Sequence, residues 1–456
     1  MEDLGAKVQS LLGTDRPCRC GRRHVIGTRV VETGPGAIAA LPSVLNRLGL
    51  AGPAVVMSDP QTQAAAGTRV EAVLSPAGFE YARRVLHPAR GRGLHAEERT
   101  VAGVEKLIDS ATSLCIAVGS GTINDLVKLA SFRRNVPYVV VATAASMNGY
   151  TSAIAAVEAG GIKRTVECRE PVAVVGDTDV ILAAPHAMTA AGVGDLMSKP
   201  VCNADWLLSH LVREDYFCDE PLSIAGPAAE AVANNASAVG SGDPAAIENL
   251  FHALLLSGFS MKVAGSSAPA SGGEHLISHY WDMRAPERGR ETGLHGAQVG
   301  VATLLTAALY RVLKDGWHEL VAGAACEESV HGEHGGDAQF RDFYGPLSGE
   351  VTKEFRKKFP SEEACRADLA SVRRHEKEIH DRVFAGLRDP DEIRAVLSAA
   401  GAPVTVEALG IGAAEALEAI GHAREIRGRY TVLDLAAELS VLPGRAAEIL
   451  KLAKVV

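Results

Sequence analysis

The first 180 residues of this 456-residue chain alternate short, unbroken apolar runs with stretches of helical spacing. The clearest runs are Ala54-Val55-Val56-Met57, Leu114-Cys115-Ile116-Ala117-Val118, Tyr138-Val139-Val140-Val141 and Val172-Ala173-Val174-Val175, each soon ended by Gly, Asp or Thr. A continuous apolar run, unlike an alternating one, marks a strand covered on both faces, as in a parallel sheet. With helices between the runs, the pattern predicts βαβ units and a doubly wound sheet. Beyond about residue 182 the strand pattern stops. Residues 220–240, 246–264, 297–313, 366–387 and 433–455 are rich in Ala, Leu and Glu at helical spacing. The expected fold class is therefore α/β plus all-α, with an α/β domain over 1–182 and a helical domain over 183–456. The polar stretch 327–361, with Glu327, Glu328, His331, Glu333 and His334, reads as an exposed loop between helices, with metal binding as the alternative.

Composition narrows the class. Hydrophobic residues at 47% and charged residues at 22% exclude a disordered or fibrous chain, and a chain this long buries a large core without disulfides. The net charge of −9 implies no broad basic surface, so nucleic acid is not expected as a partner. The eight cysteines are too sparse for a disulfide framework, and no basic, apolar leader opens the chain. No membrane span is expected, and a reducing cytoplasm is the expected compartment. Cys18, Cys20 and His24 lie close together, but their spacing is not that of a zinc ribbon; reduced surface thiols and a small metal site are both open.

Two constellations carry candidate chemistry. In the first, Gly119-Ser120-Gly121-Thr122-Ile123-Asn124-Asp125 follows a strong strand and opens a helix. Two glycines permit a tight turn, and a helix N-terminus offers free N–H groups and a positive dipole end to a pyrophosphate. Thr122 and Asp125 have capping-box spacing, but Asn124 stands where a third glycine would complete a dinucleotide fingerprint. An ordinary strand–helix turn would look similar. Asp59, at the end of an earlier strand, suits either the hydroxyls of an adenosine ribose or an Asp-Pro turn. In the second constellation, Gly194-Asp195 opens the helical half, His275 and His279 stand at i, i+4, and His295 lies beside Gly296. Asp195, His275 and His295 would supply one carboxylate and two imidazoles, a donor set that suits Zn²⁺, Fe²⁺ or Ni²⁺ and leaves positions for a substrate. His279 is a further ligand or a substrate contact. Taken singly each is more often structural, and the spacings form no local metal motif.

Together the segments resemble the group III metal-dependent alcohol dehydrogenase superfamily, and within it the glycerol-1-phosphate dehydrogenases. The likeness runs from Cys18-x-Cys20-Gly21 through Gly119–Asp125, Ser146-Met147-Asn148-Gly149-Tyr150-Thr151-Ser152, Gly160-Gly161-Ile162-Lys163-Arg164-Thr165, Gly194–Lys199, Glu274-His275 with Ser278-His279, His295-Gly296 and Ile426–Asp434. It implies a Rossmann-like domain binding NAD or NADP, a helical domain holding one divalent metal (zinc first, then nickel or iron), and a homo-oligomer. It implies metal ligands at Asp195, His275 and His295. The cofactor contacts it implies are Asp59, Gly119, Ser120, Gly121, Thr122, Asp125, Thr143, Ser146 and Ser152. Asn148, Lys163, Lys199 and His279 are implied at a small, phosphorylated substrate, with Asn148, Lys199 and His279 as catalytic candidates. The implied reaction interconverts dihydroxyacetone phosphate and sn-glycerol 1-phosphate, or a related phosphorylated or polyol pair. The sequence departs from the family at Asn148, where an Asp is usual: Asn can hydrogen-bond but cannot exchange a proton. The chain is also longer than typical members, with the excess expected near 325–375. A sugar phosphate cyclase of the dehydroquinate synthase type and a non-catalytic ligand-binding member are the alternatives.

Overall fold

A computed structural model describes residues 3–88, 93–324, 337–359 and 361–456. Glu327, Glu328, His331, Glu333 and His334 lie outside the described residues. The strands are β1 (Asp15–Pro17), β2 (Arg23–Val25), β3 (Val30–Gly34), β4 (Ala54–Ser58), β5 (Tyr81–Val85), β6 (Leu114–Gly119), β7 (Tyr138–Ala142), β8 (Ile154–Ala159), β9 (Ile162–Glu167) and β10 (Ala173–Asp177). The helices that concern function are α1 (Gly121–Arg133), α2 (His186–Met197), α3 (Lys199–Arg213), α4 (Asp219–Asn234), α5 (Pro244–Ala264), α6 (Gly273–Arg284), α7 (His295–Asp315) and α8 (Val432–Glu438). The chain forms two compact units: residues 1–159, 163–196 and 219–267, and residues 160–162, 197–218 and 268–456.

The first unit is built on a six-stranded sheet in the order β3-β10-β7-β6-β4-β5, with every pairing parallel. The four runs read from the sequence are β4, β6, β7 and β10, and every residue in these strands is buried. The two strands not read from the apolar pattern are the edges. β5 (Tyr-Ala-Arg-Arg-Val) exposes both arginines, and β3 is apolar only at Val30 and Val31. An edge strand is covered on fewer sides, so its sequence need not be continuously apolar. One face of the sheet, with Val56, Ile116, Val118, Val139, Val141 and Val175, closes over Leu41, Val44 and Leu45 in a single apolar cluster.

The strand order places a binding crevice. From β4 the chain moves outward to β5, whereas from β6 it moves the other way through β7 to β10. Connections that depart in opposite directions leave a gap above the carboxyl ends of the two strands, where ligands of open α/β sheets bind. Register aligns Met57 of β4 with Ala117 of β6, and Gly119 of β6 with Ala142 of β7. Asp59 and Gly119–Gly121 thus flank the switch point.

The helices α4 and α5 belong to the same unit. α5 has sharp sequence stops: Asp243 caps it by accepting from the Ala246 N–H at 2.8 Å, Pro244 follows at the first helical position, and Gly265 closes it at φ +70°. It is fixed to the loop after β7 by Thr151 Oγ1, which donates to the Leu255 carbonyl at 2.6 Å, and to β10 by Phe251 against Gly176.

The second unit is helical. α7 is apolar and long enough, by length and composition alone, to cross a membrane; 94% of its most apolar window is buried inside the protein, and Gln298, Thr303 and Thr306 on it are buried too. It reads as a core helix. The stretch 433–455, expected as one helix, is two: α8 and Ala446–Leu452, broken around Pro443, which cannot donate to a helical ladder. The stretch 366–387 is likewise interrupted, with a helix over Glu362–Arg374 and a π turn over Ile379–Val383.

One contact in the first unit tolerates no side chain. A Cβ on Gly192 of α2 would lie 2.1 Å from the carbonyl oxygen of Ala145, a backbone atom that cannot swing aside. Gly192→Ala is expected to cost about 1–3 kcal/mol, read as a lower urea midpoint at unchanged m-value.

Candidate active site

In the first unit the turn after β6 is held from above. The Ser120 hydroxyl lies 2.6 Å from that of Ser146, and the buried Tyr150 hydroxyl donates to the Ala144 carbonyl at 2.7 Å while lying 3.3 Å from Ser120. The Thr122–Asp125 capping box expected from spacing is not formed. Ser120 is the N-cap of α1 and makes no side-chain cap bond, because the helix starts earlier than that spacing requires. The first turn of α1 therefore directs N–H groups past the strand ends without a side-chain acceptor of its own cap, the arrangement that receives a phosphate.

Asp125 faces inward instead. It accepts from the Ala156 N–H at 3.1 Å and lies 3.8 Å from Lys128 Nζ. Lys128, missed by sequence reasoning, is fully buried and donates to the Gly149 carbonyl at 2.6 Å, the Ile154 carbonyl at 3.1 Å and Ser152 Oγ at 3.2 Å. Burial pulls the Lys128 ammonium below its ordinary pKa against the charge of Asp125, and burial pushes the Asp125 carboxyl up against the charge of Lys128. Asp125 and Ser152 thus anchor the loop 143–154 from within. Thr143 continues the β6–β7 ladder, its N–H donating to the Gly119 carbonyl at 3.3 Å. Lys163 lies half-buried on β9. Asp59 caps the turn after β4: its Oδ1 accepts from Thr62 N at 2.8 Å, and Thr62 Oγ1 accepts from Asp59 N at 2.9 Å.

Asp195, near the end of α2, is fully buried, and both its oxygens accept from Asn148: Oδ2 from the backbone N–H at 2.9 Å and Oδ1 from Nδ2 at 3.0 Å. This gives Asn148 a task that an ionised Asp could not do. An amide donates to Asp195, whereas a carboxylate there would set two like charges against each other.

In the second unit the imidazoles of His275, His279 and His295 cluster. Ring centroids are 5.0 Å apart for His275–His295, 5.7 Å for His279–His295 and 6.1 Å for His275–His279. Glu274 Oε1 accepts from Gly272 N at 2.8 Å and lies 2.8 Å from His275 Nδ1. With the carboxylate as acceptor, Nδ1 carries the proton and Nε2 is the nitrogen that can ligate a metal. His279 Nδ1 accepts from Arg427 Nη2 at 3.5 Å. Lys199, the first residue of α3, is buried, and its ammonium has no hydrogen-bond partner among the described residues.

The start of α6 is fixed by Asp205 of α3, also missed by sequence reasoning. Its carboxylate accepts from Tyr310 OH at 2.5 Å and from the N–H groups of Gly273 and Val432 at 2.7 Å each. A Cβ on Gly272 would lie 2.4 Å from Asp205 Oδ2, so the approach requires glycine. Burial first, and then the charge of Glu274, push the Asp205 carboxyl well above the usual carboxylate range. The segment Arg427–Asp434 is the matching clamp: Arg427 meets His279, Arg429 donates to the Ser271 carbonyl, and Tyr430 donates to Glu438 at 2.6 Å. Thr431 and Asp434 form the capping box of α8, and Lys358 Nζ lies 2.8 Å from Asp434.

Comparison with known proteins gives the family. The family model described as iron-containing alcohol dehydrogenase matches residues 32–185. A protein of Halalkalibacterium halodurans named NAD(P)+ glycerol-1-phosphate dehydrogenase is 36% identical over 298 residues, 64% of this chain and 74% of that one. One of the same name from Geobacillus stearothermophilus is 28% identical over 441 residues, 96% of this chain and 99% of that one. The chain belongs to the glycerol-1-phosphate dehydrogenase family of iron-containing alcohol dehydrogenases. Among solved structures, a probable glycerol dehydrogenase from Sinorhizobium meliloti matches with a TM-score of 0.60 at 17% identity, covering 93% of this chain and 97% of that one, a likeness of fold. As a family member the chain is an oxidoreductase of the alcohol dehydrogenase type, and the Rossmann-like sheet with a helical remainder is the fold that the sequence led one to expect.

Asp205 satisfies three buried donors at once. Asp205→Ala orphans two buried N–H groups and a phenol, at about 1–3 kcal/mol each, so a loss of more than about 3 kcal/mol is expected by denaturant titration. Asp205→Asn keeps one acceptor oxygen and should lose less.

Proposed function

We propose that the chain interconverts dihydroxyacetone phosphate and sn-glycerol 1-phosphate, using NAD(H) and one divalent metal. The observation that carries this reading is the match along 96% of the chain to a relative named NAD(P)+ glycerol-1-phosphate dehydrogenase. The donor set fits a metal: Asp195, two residues before the chain enters the second unit, and His275 and His295 of that unit offer one hard carboxylate and two imidazoles. Zinc is the first choice, with nickel and iron as alternatives. Bound there, the ion would act as a Lewis acid toward the carbonyl, and the nicotinamide would supply the hydride.

The chain's own residues set the conditions. Glu274 holds the His275 tautomer, and Asn148 holds both oxygens of Asp195. Lys199 carries a buried ammonium without a hydrogen-bond partner among the described residues, and we assign it to the substrate phosphate, with Lys163 and His279 as further contacts. The first turn of α1, with Gly119, Ser120, Gly121 and Thr122, receives the pyrophosphate. Thr143 and Ser146 border the nicotinamide, while Asp125 and Ser152 support that loop through Lys128. Asp59 Oδ1 serves the helix cap, and we assign Oδ2 to the ribose hydroxyls. The reading includes a cytoplasmic homo-oligomer acting on a small molecule. Net turnover of NADH with dihydroxyacetone phosphate tests it; a cyclase or a non-catalytic member would show none.

Three variants examine the parts. His275→Ala is expected to lose the metal and nearly all activity with the far-UV circular dichroism unchanged; full metal content and normal turnover would remove His275 from the ligand set. Asp59→Ser should raise kcat/KM with NADPH relative to NADH, because the carboxylate repels a 2′-phosphate. Asn148→Asp should lower turnover by about 10-fold or more, since groups that orient a metal ligand typically matter by about 10–100-fold. Unchanged or faster turnover would instead make residue 148 a proton carrier for the substrate.

A further inference from the structure

The short hairpin β1–β2, which carries none of the residues of the proposed catalysis, brings little apolar surface to the core. Each strand has three residues, paired from Asp15↔Val25 to Pro17↔Arg23, and only His24 among the six is buried. A two-stranded ladder of this length is not stable by itself in water. The exposed Asp15–Arg23 ion pair contributes little. The turn is nonetheless sharply defined: the Cys18 N–H donates to the Arg22 carbonyl at 2.9 Å, the Gly21 N–H donates to the Cys18 carbonyl at 3.1 Å, and Gly21 sits at φ +84°. Cys18 and Cys20 stand on this turn, and His24 lies on β2.

The fourth member is remote in sequence. Cys218 is bonded directly to Asp219, the first residue of α4 in the same unit as the hairpin, and Arg16 of β1 pairs with Glu220 one residue further on. The Sγ atoms of Cys18 and Cys20 and a ring nitrogen of His24 lie within 4.8 Å of one another, and the Arg16–Glu220 pair brings the start of α4, to which Cys218 is bonded, to the same hairpin. Cys20 Sγ and His24 Nε2 are 3.5 Å apart. A tetrahedral zinc ion, with Zn–S near 2.3 Å and Zn–N near 2.0–2.1 Å, sets its sulfur and nitrogen ligands about 3.6 Å apart. All seven described cysteines are thiols.

We propose that Cys18, Cys20, His24 and Cys218 form a structural zinc site, separate from the proposed catalytic metal, that fastens the N-terminal hairpin to the start of α4. Three thiolates and one imidazole complete a tetrahedron and leave no position for substrate, the pattern of structural rather than catalytic zinc. The ion here replaces the apolar core that so short a hairpin cannot build.

The test exploits the different donors of the two sites, because Asp195, His275 and His295 include no sulfur. The full-length protein, produced with Co²⁺ in place of Zn²⁺, should show the thiolate-to-cobalt charge-transfer band and the intense visible bands of a tetrahedral sulfur site. That signal should persist in His275→Ala and vanish in Cys218→Ser and in Cys18→Ser. In zinc-grown protein each cysteine variant should lose about one equivalent of zinc per chain and melt at a lower temperature. X-ray absorption of the zinc-loaded His275→Ala protein should give three sulfur neighbours and one nitrogen. A wild-type cobalt spectrum without thiolate bands, a disulfide joining two of these cysteines in the purified protein, or unchanged zinc content in both cysteine variants would overturn the site. The spectrum of the wild type decides even if a variant fails to fold.

Discussion

The buried carboxylate of Asp205 is the contact on which the histidine cluster depends. It draws the N–H of Gly273, the N–H of Val432 and the phenol of Tyr310 to one point, so α6, α7 and α8 are located against α3 by a single side chain. Such a group is costly to bury, and the neighbouring Glu274 raises the cost through like charge. Three donors offset that cost, and Glu274 in turn is engaged by Gly272 N and His275. The result is a rigid entry to α6 in which the ring of His275 has one orientation. The need for glycine at 272 comes from the same constraint, since any side chain there would strike Asp205.

The first unit solves a comparable problem with the opposite charge. Lys128 gathers two carbonyls and a hydroxyl from the loop 149–154 and stands beside Asp125, so the loop after β7 is anchored to α1. The residues around the glycine turn divide accordingly. Gly119, Ser120 and Gly121 shape the surface, while Asp125 and Ser152 work beneath it. Asn148 likewise works inward: its amide and backbone N–H are spent on Asp195. In both units a charged residue outside the proposed chemistry holds groups assigned to it, which is how a site on loops and helix ends keeps its geometry.

The interior strands were legible because burial on both faces leaves an unbroken apolar run, and the strand–turn–helix at Gly119 was legible because glycine spacing and the adjoining helix are local. The edge strands β3 and β5 were not, since partial exposure admits Glu32, Arg83 and Arg84. The ends of helical stretches were legible where Asp, Pro and Gly mark them, as in α5, and were misjudged at Pro443 where that signal was passed over.

By itself the sequence determined the parallel sheet, the glycine turn that opens α1, the helical character of the C-terminal half, and, through its resemblance to a known family, the identity of Asp195, His275 and His295 as candidate ligands. Tertiary structure alone decided which polar residues hold them. Lys128 sits in an apolar helix face, Asp205 lies 68 residues before the Gly273 N–H it accepts from and 105 before the phenol, and the Arg16–Glu220 pair joins a hairpin near the start of the chain to a helix 204 residues further on. The physical reason is range. Propensity, capping and apolar periodicity are set by neighbours a few residues apart, whereas satisfying a buried charge or completing a tetrahedron depends on which distant segments the packed core brings within about 3 Å.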